Sequence, residues 1–177
     1  QPNGQTASYC YDPFGRRIEK EVNGTLTSYA YDNEDIIIEY NGSNTVKARY
    51  THGPGIDEPL AVQKGYAWEY FCYHADGLGS IVAMTTALGL KVKTYSYDAF
   101  GRITESGIGT QPYAYTAREY DTETGLYYYR ARYYDPRAGR FITKDPISFA
   151  GGDVNLYAYV GNNPVNAIDL FGLKEHC

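Results

Sequence analysis

Tyr9-Cys10-Tyr11-Asp12-Pro13-Phe14-Gly15-Arg16-Arg17-Ile18 returns later in the chain as Tyr95-Ser96-Tyr97-Asp98-Ala99-Phe100-Gly101-Arg102-Ile103, and more loosely as Tyr29-Ala30-Tyr31-Asp32. The residues of one copy account for its local structure. Period-two alternation in Tyr-x-Tyr puts both rings on one face of a strand, where each can pack its ring and still aim its hydroxyl at a partner or at water. Asp12 or Asp98 then opens a turn, because a short carboxylate can bond backbone N–H groups two residues on. Gly15 or Gly101 supplies the positive φ at which the chain reverses, and Arg-Arg-Ile or Arg-Ile resumes as the next strand. A single strand and hairpin turn cannot bury its own face, so neighbouring copies must stack on it.

Weaker echoes begin at Tyr50, Tyr70, Tyr113 and Tyr133, giving a spacing of roughly 20 residues, which belongs to stacked or spiralling architectures. Variants lie between the clear copies. Glu34 to Tyr40 is a strand with an apolar centre, followed by a turn at Asn41-Gly42-Ser43-Asn44, while Thr51 to Pro59 is too rich in Pro and Gly for regular structure. Tyr70 to His74 reads as a strand, Ala75 to Ser80 as a turn, and Ile81 opens the next strand. Glu119 to Arg132 gives strand, turn at Gly125, strand. Pro164 to Asp169 alone reads as helical, with Asn163 as N-cap. The expected class is all-β, with one short helical turn.

The 177 residues suit one domain or one piece of a larger one, and 43% apolar content suffices for a core. The 21 tyrosines and 19 glycines fit short strands joined by tight turns. A net charge of -5 argues against a nucleic-acid or anionic-membrane binder, so no such partner is expected. No apolar run approaches the roughly 20 residues of a membrane helix, so no membrane-spanning segment is expected. The chain begins at Gln1 inside a polar segment, without methionine or leader, as a fragment would. Cys10, Cys72 and Cys177 are odd in number, with no C-x-x-C, and signal neither a disulfide framework nor a zinc site. A Cys10–Cys72 bridge is the pairing to consider, since both lie in strand-like contexts.

From Gly139 to Leu173 the tyrosine rhythm breaks, and two aspartates, Asp145 and Asp169, enter non-repeating turns. The stretch is either a plain terminal cap or a small acid/base site acting on its own chain. Other constellations are weaker. Cys72 and His74 share a strand face as metal ligands might, but no second pair accompanies them, so no metal is expected. Ser80 lacks the context of a nucleophile elbow, and no phosphate-cradling loop or other cofactor signature is present. The tyrosines could stack on sugars, but in this rhythm they read first as packing.

The runs YDPFGRRI, GPGIDEPLA, YHADGLGSI, YSYDAFGRI, REYDTETGLYYYRARYYDPRAGRF, KDPISFAGGDVNLYAYVGNNPVNAID and FGL cover nearly all of Tyr9 to Leu173. They resemble the C-terminal part of RHS/YD-repeat proteins, including the RHS repeat-associated core. The resemblance implies a long β-sheet wound into a hollow shell, with YD-type repeats over residues 1–110, a plug over 111–173, and a residual tail over 174–177. In toxin members such a shell encloses a variable C-terminal polypeptide. It implies as partners the N-terminal remainder of the shell and a C-terminal payload, and a secreted or cell-surface location.

It also implies an aspartic-type autoproteolysis after the terminal Gly-Leu. Carried over by position, the catalytic pair would be Asp145 and Asp169, with Arg140 in support, and the bond cut would be Leu173–Lys174. Two carboxylates held about 3 Å apart cannot both ionise, so one can activate water while the other protonates the leaving amine. Two departures stand out: Leu170 where the family has proline, and Ala117 where many members have glycine. The alternatives are a non-catalytic adhesive module that forms an oligomer or fibre through exposed strand edges, and a carbohydrate-binding surface.

Overall fold

A computed structural model describes residues 6–65, 67–109 and 111–173, and they are almost wholly strand and turn. Strands β1 (Ala7–Tyr11), β2 (Arg17–Val22), β3 (Thr25–Asp32), β4 (Asp35–Asn41), β5 (Val46–His52), β6 (Pro59–Lys64), β7 (Glu69–Ala75), β8 (Ile81–Thr86), β9 (Lys91–Tyr97) and β10 (Ile103–Gly107) follow one another as an antiparallel meander in chain order. A second, four-stranded sheet comprises β11 (Glu119–Asp121), β12 (Leu126–Tyr129), β13 (Arg132–Asp135) and β14 (Arg140–Phe141). The RHS/YD expectation of an all-β chain of hairpins holds.

The chain groups into two units, residues 1–73 with 84–91, and residues 74–83 with 92–177. In the first, Ile36 and Val62 are buried, and the Arg17 guanidinium lies between the rings of Tyr9 and Tyr29, 5.3 and 5.8 Å from their centroids. The Tyr-x-Tyr alternation is not uniform. The pairing register shifts between Cys10 and Tyr11, and again between Ala30 and Tyr31, and such bulges re-aim the residue that follows. Tyr9 is half-buried, while Tyr11 is exposed. Cys10 on β1 and Cys72 on β7 are both free. Five strands separate them in the meander, at about 4.8 Å per strand, which is beyond the reach of a disulfide and corrects the bridge considered above.

The second unit is built on aromatic rings. Tyr115, Tyr127, Tyr129, Tyr134, Phe141 and Tyr159 form its buried core with Ala114, Val160 and Ala167. Buried phenols need acceptors, and these find main-chain oxygens: Tyr127 donates to Gly101, Tyr134 to Phe100, and Tyr115 to Ala99 and Pro164. Tyr129 bonds the hydroxyls of Thr116 and Tyr159.

The expected helix over Pro164–Asp169 is absent. Pro164 to Asn166 is a turn in which Asn166 N donates to Asn163 O and the Asn163 side chain bonds the Asn166 amide group. Ala167 and Asp169 are buried, with Ile168 half-buried between them, the period of extended chain. Burying both residues toward the aromatic core overrides the helix-start signal. Short 3-10 turns lie instead at Tyr115–Ala117, Ser148–Gly151 and Val160–Asn162.

Candidate active site

The hairpin joining β12 to β13 turns at Arg130, whose φ is +55°, so Arg132 begins a new strand opposite Tyr129. Its side chain is 3% exposed, and its guanidinium lies 3.6 Å over the Phe141 ring. Nε donates to Gly172 O at 2.5 Å and Nη1 to Leu156 O at 3.1 Å. Nη2 reaches Asp145 Oδ2 at 3.0 Å and Asp169 Oδ2 at 3.6 Å. Burial lowers the pKa of Arg132, and the two carboxylates oppose that shift.

Asp145 is positioned by the strand-like segment that follows β14. Phe141 N donates to Tyr157 O and Asp145 N to Leu156 O, so residues 141–145 run beside 156–157. The other carboxylate oxygen of Asp145 accepts from Ile147 N at 2.9 Å, the turn expected of Asp-Pro. Asp169, 3% exposed, uses Oδ1 to accept from Phe171 N at 3.2 Å and Leu173 N at 3.0 Å.

The Phe171-Gly172-Leu173 segment is tied down. Ala131 N donates to Phe171 O, Arg130 bonds Leu170 O, and the Arg130 guanidinium lies 5.5 Å from the Phe171 ring centroid. Gly172 has φ +68°, and a Cβ there would fall 2.4 Å from Tyr129 O. Glycine is therefore required at this position twice over. The point where Gly151 would carry a Cβ lies 3.0 Å from both Asp145 Oδ2 and Leu173 O, so the carboxylate and the last described carbonyl flank one glycine. A cavity of about 170 Å³ opens here, lined by Arg132, both aspartates, Leu173 and the Gly151-Gly152 turn.

Asp145, Asp169 and Leu173 thus line one cavity. Arg140 is not with them: it is exposed, its guanidinium 5.9 Å from the Tyr157 ring. The guanidinium between the carboxylates belongs to Arg132, eight residues earlier. Lys174 lies outside the described residues. Two carboxylates thus converge on one guanidinium, and the formal charges of the group sum to minus one.

The teneurin YD-shell family model matches residues 2–165. The tRNA nuclease WapA of Bacillus subtilis (strain 168) is 40% identical over 175 residues, covering 94% of this chain and 7% of that protein. The probable deoxyribonuclease RhsB of Dickeya dadantii (strain 3937) is 35% identical over 183 residues, covering 97% and 12%. The crystal structure of TcdB2-TccC3 superposes with a TM-score of 0.76 at 23% identity, over 94% of this chain and 9% of that one. The chain therefore spans about a tenth of the length of such relatives, and the activities in their names belong to those whole proteins. With its repeated Tyr-Asp hairpins, its open antiparallel sheets and a family match over most of its length, the chain belongs to the teneurin YD-shell family of RHS/YD-repeat proteins.

Proposed function

We propose that this chain is the C-terminal core of a YD-repeat shell, in which residues 111–173 form a plug that cuts its own chain once, after Leu173, and so frees an enclosed C-terminal polypeptide. The reading rests on one observation above all: Asp145 and Asp169 meet at the Arg132 guanidinium, in a cavity that the Leu173 carbonyl shares across Gly151. One carboxylate takes a proton from water while the other, protonated, supplies one to the departing amine of residue 174. The water oxygen bonds the Leu173 carbonyl carbon, and the C–N bond breaks. Arg132 holds both carboxylates, and through Nε it holds the Gly172 carbonyl one residue before the bond. The aspartates are 24 positions apart in sequence and the arginine lies on a third segment, so the site exists only after the plug folds. A location outside the producing cell fits the shell family.

The test is an intact-mass measurement on the full-length protein that contains this chain. Fragments divided after Leu173 are expected. Asp145→Asn or Asp169→Asn should slow the cut by about 10²–10⁴-fold, the contribution of a positioned acid or base. Equal fragmentation in both variants would dismiss the assignment.

A second reading, an adhesive module, draws on strand β10, which among the described residues has one neighbour in the meander order and so offers an edge. Size-exclusion chromatography would support it by showing ordered assembly, and a lone monomer would count against it.

A further inference from the structure

Asp169 repeats, in the site, a turn that the β-hairpins use elsewhere. In the repeat turns one side-chain oxygen accepts two backbone amides, two and four residues on. Asp12 Oδ1 takes Phe14 N and Arg16 N, both at 2.9 Å. Asp76 Oδ1 takes Leu78 N and Ser80 N at 2.9 and 3.0 Å, and Asp98 Oδ1 takes Phe100 N and Arg102 N at 3.0 and 2.9 Å. The third residue after each aspartate is a glycine at φ +81° to +84°. Asn41 makes the same turn, bonding Ser43 N and Thr45 N at 3.0 and 2.9 Å, with Asn44 at φ +56°. Asp169 Oδ1 does likewise with Phe171 N and Leu173 N, and Gly172 stands at φ +68°. The sequences agree: Asp12-Pro-Phe-Gly-Arg, Asp98-Ala-Phe-Gly-Arg, Asp169-Leu-Phe-Gly-Leu.

Two things differ, the backbone closure and the second oxygen. In the repeat turns the first residue's amide donates to the fifth residue's carbonyl, as Asp12 N does to Arg16 O at 2.9 Å and Asp98 N to Arg102 O at 3.1 Å, whereas among the described residues Asp169 N makes no such bond to Leu173 O, so the fifth carbonyl is not turned back on its own hairpin. In the first turn Asp12 Oδ2 is held at 2.7 Å by Arg16, the fifth residue of the same turn. In the last turn the fifth residue is Leu173, and Oδ2 of Asp169 faces Arg132 instead. One carboxylate therefore does two jobs: Oδ1 closes a repeat-type turn, and Oδ2 belongs to the charged site.

We propose that this turn is what selects the bond to be cut: it counts four residues from Asp169 and delivers the carbonyl of the fifth residue to Asp145, so the cut is set by register rather than by recognition of a Gly-Leu pair. The proposal rests on the autoproteolytic reading above and specifies how that site chooses its substrate bond. The peptide that leads into the carbonyl at position 173 is fixed by three contacts, none of them made to a leucine side chain. Its own amide is held by Asp169, the preceding carbonyl is held by Arg132, and Gly172 is seated against Tyr129 O. The count of four is built into the turn, as it is at Asp12, Asp76 and Asp98.

Two measurements on the full-length protein test this separately from the chemistry. In the first, one alanine is inserted between Leu170 and Phe171, moving Phe-Gly-Leu one residue further from Asp169. Register selection predicts at least ~100-fold slower cleavage and no product ending in the displaced Gly-Leu. A product ending there at the unaltered rate overturns the proposal. The second is amide hydrogen exchange at Leu173 in the Asp145→Asn background, where the chain is uncut. Asp169→Asn should keep the amide protected, since Asn41 makes the same turn, whereas Asp169→Ala should speed exchange by ~10-fold or more. Equal protection in both overturns the turn assignment even if the chain is cut. Loss of protection in Asp169→Ala alone, together with a protein that stays uncut when both aspartates are present, would leave the turn standing and sink the autoproteolytic reading instead.

Discussion

Arg132 carries a buried positive charge that is neutralised by two acids and bonded to two carbonyls, so its replacement has two separable consequences. The first is stability. Arg132→Met leaves two carboxylates buried beside an apolar side chain, and breaking such a group costs about 3–5 kcal/mol, readable as a fall in the denaturant midpoint. The second is the rate of cleavage. Arg132 holds both carboxylates and the Gly172 carbonyl, so Arg132→Gln should slow the cut by about 10²-fold in protein that still folds, and an unchanged rate by intact mass would mean that the guanidinium does not position the site. The two aspartates were legible through the resemblance of KDPI and IDLFGL to the family's motifs, while the reading of Asp169 as a non-repeating turn is corrected by its repeat-type hydrogen bonds. Arg132 was not legible, because Tyr-Tyr-Tyr-Arg-Ala-Arg-Tyr-Tyr reads as the close of one strand, whereas the positive φ at Arg130 cuts it into a hairpin and turns Arg132 into the site.

The hairpin element repeats its sequence, but its surroundings do not repeat, and the glycines of the turns expose the difference. Gly15 and Gly101 occupy the same place in YDPFGR and YDAFGR, at φ +84° and +81°. A Cβ on Gly15 meets nothing within 4 Å, while one on Gly101 lands 2.5 Å from the Tyr115 ring. Gly15→Ala should therefore cost only the left-handed backbone penalty, about 1–2 kcal/mol. Gly101→Ala adds displacement of a ring packed in the aromatic core, about 1–3 kcal/mol more. Urea denaturation of the two variants checks this, and equal losses would contradict it. The turn chemistry and strand alternation of each element could be read from residue types. The bulges at Tyr11 and Tyr31 could not, since register depends on the neighbouring strand, and the Asn163-Pro164 helix signal failed because burial of Ala167 and Asp169 pulls that stretch into extended chain.

Across the molecule, tyrosine is the residue that replaces aliphatic packing, and this ties stability to the protonation of phenols. In the second unit burial pushes the pKa of Tyr159 up to about 12 and raises those of Tyr115, Tyr127, Tyr129 and Tyr134. Tyr95 is likewise pushed up to about 12 by burial. The hydroxyls of Tyr115, Tyr127 and Tyr134 donate to main-chain carbonyls, which only the neutral phenol can do. In the unfolded chain the same groups ionise near pH 10. Their contribution to stability is thus complete below about pH 10, where both states hold the proton, and falls as pH rises toward the folded values, because the unfolded state sheds protons that the folded state keeps. Each such phenol steepens the fall, so between about pH 10 and 12 the urea midpoint should drop sharply, and the tyrosinate absorbance contributed by these buried phenols should appear together with loss of the folded circular dichroism signal rather than before it. If the phenols of Tyr115, Tyr127, Tyr129, Tyr134 and Tyr159 ionised near pH 10 with the fold intact, the aromatic core would be open to water and the tie between phenol burial and folding would not hold.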